Sequence, residues 1–203
     1  MINYLLNRFN LRVSKIYPRG FQRYALRGKK NLFGAEVGVY RGKHALSLLT
    51  RSDVKKIYLI DSYKPYKDYG FYGKNKLLMA KKEAFETLSK YNVVYLYESS
   101  DNAINKIKEK LDFVYIDGNH AYNYVKKDIE NYWKVLKDGG ILAGDDVTNV
   151  GMENSPNRAF NSKERPCDVL KAVCEFAIKN NLRVNVAEND WWIVKGELED
   201  WNL

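Results

Sequence analysis

Two apolar runs in this 203-residue chain end on carboxylates. The first reads Phe113, Val114, Tyr115, Ile116, Asp117, Gly118, Asn119, His120. The second passes from Gly139 and Gly140 through Ile141, Leu142, Ala143 and Gly144 to Asp145 and Asp146. If the runs are neighbouring strands, Asp117, Asp145 and Asp146 meet at their tips. Carboxylates packed together raise one another's pKa, which makes a divalent cation their natural partner. An all-oxygen ligand set suits Mg²⁺, Mn²⁺ or Ca²⁺ better than zinc. The plainer alternative is that Asp146 caps the following turn and Asp145 is merely exposed. His120 has an ordinary pKa near neutrality and is placed for general base work, or for simple hydrogen bonding.

A second group of residues has the types needed to hold a ligand. In the run Gly34, Ala35, Glu36, Val37, Gly38, Val39, Tyr40, Arg41, Gly42, Gly38 allows a tight turn and close backbone approach. Gly42 opens a helix there, and Glu36 puts an acceptor beside the turn. The G-x-G-x-x-G dinucleotide fingerprint is missing, and a purely structural turn explains the glycines equally. Asp61 ends the next apolar run, where α/β sheets often set a carboxylate against ribose hydroxyls; capping its own turn is the other reading. Beyond it, Tyr63, Tyr66, Tyr69, Phe71 and Tyr72 are interrupted by Pro65, Gly70 and Gly73. That spacing predicts a loop whose rings stack on an acceptor or pack a surface. His44 reads as structural or as a cofactor contact.

The elements that position these residues alternate. Candidate strands are Leu32 to Val37, Ile57 to Asp61, Val93 to Tyr97, Phe113 to Asp117, Ile141 to Gly144, Arg183 to Ala187 and Trp191 to Lys195. Helical spacing joins Leu77, Lys81, Ala84, Phe85 and Leu88. It also joins Val125, Ile129, Trp133 and Leu136, closed by Asp138, Gly139 and Gly140, and finally Leu170, Val173, Cys174 and Ala177. Strand and helix in alternation predict an α/β fold, a doubly wound, mostly parallel seven-stranded sheet with helices on both faces. Only Glu188, Asn189 and Asp190 separate the last two strands, so they form a hairpin and the last strand runs antiparallel. Ligands of such sheets bind at the carboxyl ends of the strands.

Charge is distributed unevenly. The net charge is +9, yet residues 1–30 hold eight bases and no acid, leaving 26 bases against 25 acids in the rest. This divides the chain into a basic N-terminal segment, residues 1–30, and a main domain, residues 31–203. The basic excess is therefore weak evidence that the main domain grips nucleic acid. Leu5, Leu6, Phe9 and Val13, with bases at Arg8, Arg12, Arg19, Arg23 and Arg27, predict an amphipathic helix broken near Pro18 and Gly20. A lid, a packing helix or contact with a polyanion all suit it. Cys167 and Cys174 fall about 10 Å apart on a helix, too far for a disulfide, which fits a reducing, cytoplasmic setting. No stretch approaches the roughly 20 apolar residues of a membrane span.

The run from Glu36 to Gly42, Asp61, the Asp117 to His120 segment, the Gly139-Gly140 turn and the closing hairpin with Trp191, Trp192 and Lys195 resemble a class I S-adenosylmethionine-dependent methyltransferase with a Rossmann-like fold. Within that class the chain is similar to small metal-dependent O-methyltransferases of sugars and natural products, over residues 31–203. The resemblance implies that Glu36, Gly38, Tyr40 and Gly42 line the cofactor and that Asp61 holds its ribose. Ser99, Ser100 and Asp101 would lie near adenine. It further implies Asp117, Asp145 and Asp146 as ligands of Mg²⁺ or Mn²⁺, with Asp117 and His120 catalytic. Tyr63, Tyr66, Tyr69 and Tyr72 would touch the acceptor. Tyr40 stands where many methyltransferases carry glycine, which puts the shape of the first loop in question.

The expected reaction is methyl transfer to a sugar hydroxyl, with a cation favouring alkoxide character and His120 as base. A catechol acceptor is the near alternative. A nucleic-acid methyltransferase and a noncatalytic S-adenosylmethionine-binding module are the rivals. Oligomeric state, with a homodimer among the options, is not legible.

Overall fold

The computed structural model describes residues 18–65, 73–147 and 168–197. In chain order these form α1 (Gly20–Tyr24), β1 (Leu32–Val37), α2 (Lys43–Arg51), β2 (Val54–Ile60), α3 (Lys74–Leu88), β3 (Val93–Leu96) and α4 (Ser100–Ala103). There follow β4 (Leu111–Ile116), α5 (Tyr122–Trp133), β5 (Leu136–Gly144), α6 (Val169–Lys179), β6 (Asn185–Ala187) and β7 (Asp190–Val194). The strands make one sheet in the order β3-β2-β1-β4-β5-β7-β6.

Strands β1 to β5 pair in parallel, and β7 runs antiparallel to both β5 and β6. The hairpin predicted from three intervening residues is present, tightened to Glu188 and Asn189, with Glu188 at φ +61°. The antiparallel strand does not lie at the sheet edge, however. β7 slots between β5 and β6, and the short β6 forms the edge. The other strand bounds differ by a few residues, except at β5. There the Gly139-Gly140 turn, expected to end the preceding helix, instead lies inside the strand. Leu111 pairs with Leu136 but Phe113 with Ile141, so Lys137 to Gly140 loop out as a bulge.

Alternate residues of each strand feed opposite faces, as a pleated sheet requires. Ala35, Val37, Tyr58, Ile60, Val114, Ile116 and Leu142 face the side covered by α4, α5 and α6. Ile57, Leu59, Phe113, Tyr115, Ile141 and Ala143 face the side covered by α1, α2 and α3. The strand order reverses between β1 and β4, and it is at the carboxyl ends of the strands beside such a switch that sheets of this kind bind ligands. Described residues of the basic N-terminal segment pack on the sheet: Phe21 is fully buried, with its ring 5.8 Å from Phe113 and 5.4 Å from Tyr115. Its earlier residues, including Leu5, Leu6, Phe9 and Val13, lie outside the described ones, as do Tyr66, Tyr69, Phe71, Tyr72 and Cys167. Cys174 is a free thiol. No helix among the described residues is long and apolar enough to cross a membrane.

Candidate active site

The loop after β1 is fixed by backbone geometry. Gly38 has φ +92°, and a Cβ on it would come within 2.0 Å of the Asp117 carbonyl oxygen, so no side chain fits at this approach of β1 to β4. Tyr40, at φ +48°, adopts the left-handed conformation that glycine favours, which answers the question its identity raised. Asp61 holds it there: Oδ2 accepts the Val39 and Tyr40 N–H groups at 3.1 and 2.9 Å, and Oδ1 accepts Tyr63 N–H at 2.8 Å. The loop is thus the shape glycine would have given, obtained from a tyrosine and a carboxylate.

Asp61 caps its own turn and the loop after β1, the plainer of the two readings offered for it. Three N–H donors leave one of its roughly four acceptor positions for a ligand. Burial raises its pKa, and these three donors act against that rise. Tyr63 is buried, and its hydroxyl donates to the Tyr40 carbonyl at 2.9 Å. It packs with Tyr40, Leu77 and Ala80. These contacts make it a brace of the loop, where an acceptor contact had been expected.

Beneath the loop lie buried polar atoms without partners. Glu36 is almost wholly enclosed, and its Oε1 is 3.7 Å from His44 Nδ1 on α2. Glu36 Oε2 and both His44 ring nitrogens have no hydrogen-bond partner among the described residues. Burial pushes the Glu36 carboxyl up and His44 draws it back. Orphaned buried groups at a strand tip are what a polar ligand would satisfy. Ser100 begins α4, its carbonyl accepting from the Tyr132 hydroxyl at 3.0 Å. Buried Asp128 on α5 bonds the Ser100 side chain, and burial pushes its carboxyl up to about 7. Sequence spacing had marked Asp128 only as part of a helix.

On the far side of the switch point, Asp117, Asp145 and Asp146 do converge. His120 joins them, with Nδ1 2.8 Å from Asp146 Oδ2 and Nε2 3.4 Å from Asp117 Oδ1. Asn189, in the β6–β7 turn, donates to Asp145 Oδ1 at 2.9 Å and to Asp146 Oδ1 at 2.8 Å. The remaining partner comes from the other end of the chain. Arg19 Nη1 pairs with Asp145 Oδ2 and donates to the Tyr115 hydroxyl at 2.6 Å, while Nη2 lies 3.5 Å from Asp117 Oδ2. Tyr115 in turn donates to buried Asp190 at 2.7 Å.

The electrostatics follow from this packing. Burial disfavours the Arg19 charge, but Tyr115, Asp117, Asp145 and Asp190 outweigh it and hold the guanidinium protonated. Burial and Asp117 push Asp145 up to about 6, against the pull of Arg19. Burial alone would raise Asp146, yet His120 and Asn189 hold it below the usual carboxylate range. His120 is pushed up to about 10, because Asp117 and Asp146 overcome the burial that would lower it. A histidine so paired carries its proton at neutral pH. The neutral general base expected at this position is therefore not the form the site favours.

The three carboxylates do not fit a divalent cation as they stand. Each of their six oxygens already faces a nitrogen of Arg19, His120 or Asn189. Among the described residues no group of His, Cys, Asp and Glu is disposed to hold a metal ion. This corrects the expectation that Asp117, Asp145 and Asp146 are free metal ligands, since crowding has been relieved by protein cations. Arg19, Asn189, Tyr115 and Asp190 were missed by sequence reading. The only signal for Arg19 was an acid-free segment in a chain whose strand tips are rich in acid.

The family profile described as a methyltransferase domain matches residues 35–147. No curated protein matches the chain. A crystal structure of a Staphylococcus aureus protein, named as a candidate caffeoyl-CoA O-methyltransferase, superposes with a TM-score of 0.64 at 15% identity, covering 96% of this chain and 90% of that one. An O-methyltransferase from Bacillus cereus in complex with SAH gives 0.63 at 13% identity, covering 96% and 89%. An rRNA methylase from Streptococcus thermophilus gives 0.52 at 14% identity, covering 84% and 89%. At these identities the likeness is one of fold.

Proposed function

Because this chain belongs to the methyltransferase-domain family, of the class I type that uses S-adenosylmethionine, we propose that it methylates a hydroxyl group, with a sugar as the acceptor. The single observation that carries the reading is the juxtaposition of two half-sites at the strand switch, the unpartnered buried atoms of Glu36 and His44 and a hydrogen-bonding carboxylate cluster. The residues present fit the cofactor. Gly38 lets the loop turn tightly against β4, Glu36 and His44 offer unpartnered polar atoms to its methionine end, Asp61 offers a lone pair to its ribose, and Ser100 stands where adenine is expected. When bound, S-adenosylmethionine supplies an electrophilic methyl group.

The chain's own residues then orient and deprotonate the acceptor. Asp117, at the tip of β4, has the loosest pairings of the cluster, 3.4 Å to His120 and 3.5 Å to Arg19, and takes the hydroxyl's proton as the oxygen gains its methyl group. His120, charged between Asp117 and Asp146, holds that carboxylate in place rather than acting as the first base. The grouping of Asp117, Asp145, Asn189 and Arg19 suits an acceptor rich in hydroxyls, because a site built for hydrogen bonding strongly favours ligands that supply it. The expected help of a cation does not carry over, since the carboxylates are already paired. A phenolic acceptor is the second reading, favoured by the name of the Staphylococcus aureus neighbour. Nucleic acid is disfavoured, because Arg19 and Arg23 pair with acids of the sheet, Arg23 with Glu188.

The test is transfer of labelled methyl from S-adenosylmethionine to a panel of free sugars, glycosides and catechols, with products identified by mass. Methylation of a sugar hydroxyl is the expected result. Label entering only catechols selects the second reading, and cofactor binding without label in any acceptor contradicts both.

A further inference from the structure

Arg19 occupies the centre of the carboxylate cluster, and the backbone that follows it is anchored at every step. Gly20 approaches β6 so closely that a Cβ would lie 2.4 Å from the Ala187 carbonyl oxygen. Phe21 N–H donates to Asp190 Oδ2 at 2.9 Å, and the Phe21 ring is buried under α2 and α3. Gln22, also buried, takes the Arg19 N–H at 3.3 Å and the Ser47 hydroxyl at 2.8 Å through the same oxygen. Tyr24 stacks on Trp192 with ring centroids 6.4 Å apart. A side chain held between such fixtures has little freedom to wander, so its place among the acids is built into the fold.

The guanidinium answers what the cluster lacks. It contacts Asp117 from β4 and Asp145 from β5, lies 3.8 Å from Asp190 on β7, and sits over the Tyr115 ring at 5.5 Å. A planar fork of five donors suits several carboxylates at once, as a compact ammonium would not. About one third of the side chain stays exposed, leaving donors for an acceptor oxygen. We propose that Arg19 is the resident cation of the acceptor site, standing where a divalent metal would otherwise have to sit, so that the chain orders its carboxylates without one.

This inference rests on the reading of the cluster as the acceptor half of a methyltransferase, and makes Arg19 a positioning residue. The alternatives are a plug that metal displaces and an ion pair with no bearing on metal.

The experiment is titration of the full chain with Mn²⁺, followed by the electron-spin resonance signal of free Mn²⁺, for wild type, Arg19→Met and Arg19→Lys. S-adenosylhomocysteine affinity of each is measured separately. Wild type is expected to leave millimolar Mn²⁺ free and Arg19→Lys to bind it with intermediate affinity, since an ammonium covers fewer carboxylate oxygens, while Arg19→Met gains Mn²⁺ affinity by at least about tenfold, as three exposed carboxylates would confer. S-adenosylhomocysteine affinity is expected to stay within about threefold across the set, since its half-site is held by other residues. Tight Mn²⁺ binding by wild type overturns the proposal, as does Arg19→Met binding no better than wild type. If Arg19→Met fails to fold, Arg19→Gln carries the same comparison. Loss of S-adenosylhomocysteine binding in wild type itself would overturn the methyltransferase reading, while the Mn²⁺ result still decides the role of Arg19.

Discussion

The first loop and the carboxylate cluster face one another across the strand switch, and they are made in opposite ways. The loop is local: Gly38, Tyr40 and Asp61 fix it with backbone N–H groups and positive φ angles inside a short span of chain. The cluster is assembled from distance, with Arg19 meeting Tyr115 across 96 residues and Asp145 across 126. A site made from backbone shape breaks when a single atom is added. A site made from paired charges breaks when its balance is upset by pH or by loss of one partner.

The largest effect should come from adding that atom. In Gly38→Ala the new Cβ collides with backbone of β4 at a φ that L residues rarely adopt, costing about 3–5 kcal/mol. Urea unfolding should show that loss, and the remaining folded protein should bind S-adenosylhomocysteine at least about a hundredfold more weakly. Unchanged affinity would remove the loop from the cofactor half-site.

The cluster should respond to pH instead. The His120 pKa is raised from 6.5 to about 10 in the folded chain, so its ion pairs stabilise fully below about pH 6.5 and are lost as pH climbs toward 10. The unfolding free energy from urea titration should fall over that window by about 5 kcal/mol at most, and His120→Gln should flatten the fall. A wild-type midpoint flat from pH 6.5 to 10 would mean that the pairing is not holding the site.

These differences explain what could be read from the sequence. Glycine spacing at Gly38 and Gly42, and a carboxylate at Asp61 after an apolar run, are local demands that leave a mark on the chain. The alternation of strands and helices was legible for the same reason, down to a hairpin read across Glu188, Asn189 and Asp190. The pairing of Arg19 left no local mark, because its partners are fixed only once β4, β5 and β7 lie side by side. Nor could sequence show that the Gly139-Gly140 turn sits inside β5 as a bulge. The role of Tyr40 was hidden because glycine is the usual solution, and only the Asp61 bonds reveal how tyrosine substitutes for it.

A smaller effect would sharpen the picture of the loop. Tyr63→Phe deletes one hydrogen bond to the Tyr40 carbonyl and should lower stability by about 1 kcal/mol, readable as a modest shift in melting temperature. Acceptor KM should be unchanged if Tyr63 braces the loop, and should rise if it touches the acceptor.

The central claim is that the orphaned Glu36 and His44 atoms, the Gly38 turn and Asp61 together make the half-site for S-adenosylmethionine. Calorimetric titration of the folded full-length chain with S-adenosylhomocysteine tests it most directly. The account predicts saturable binding at one site per chain, abolished in Gly38→Ala. Absence of any binding heat, over a range of temperatures in well-folded protein, would contradict it.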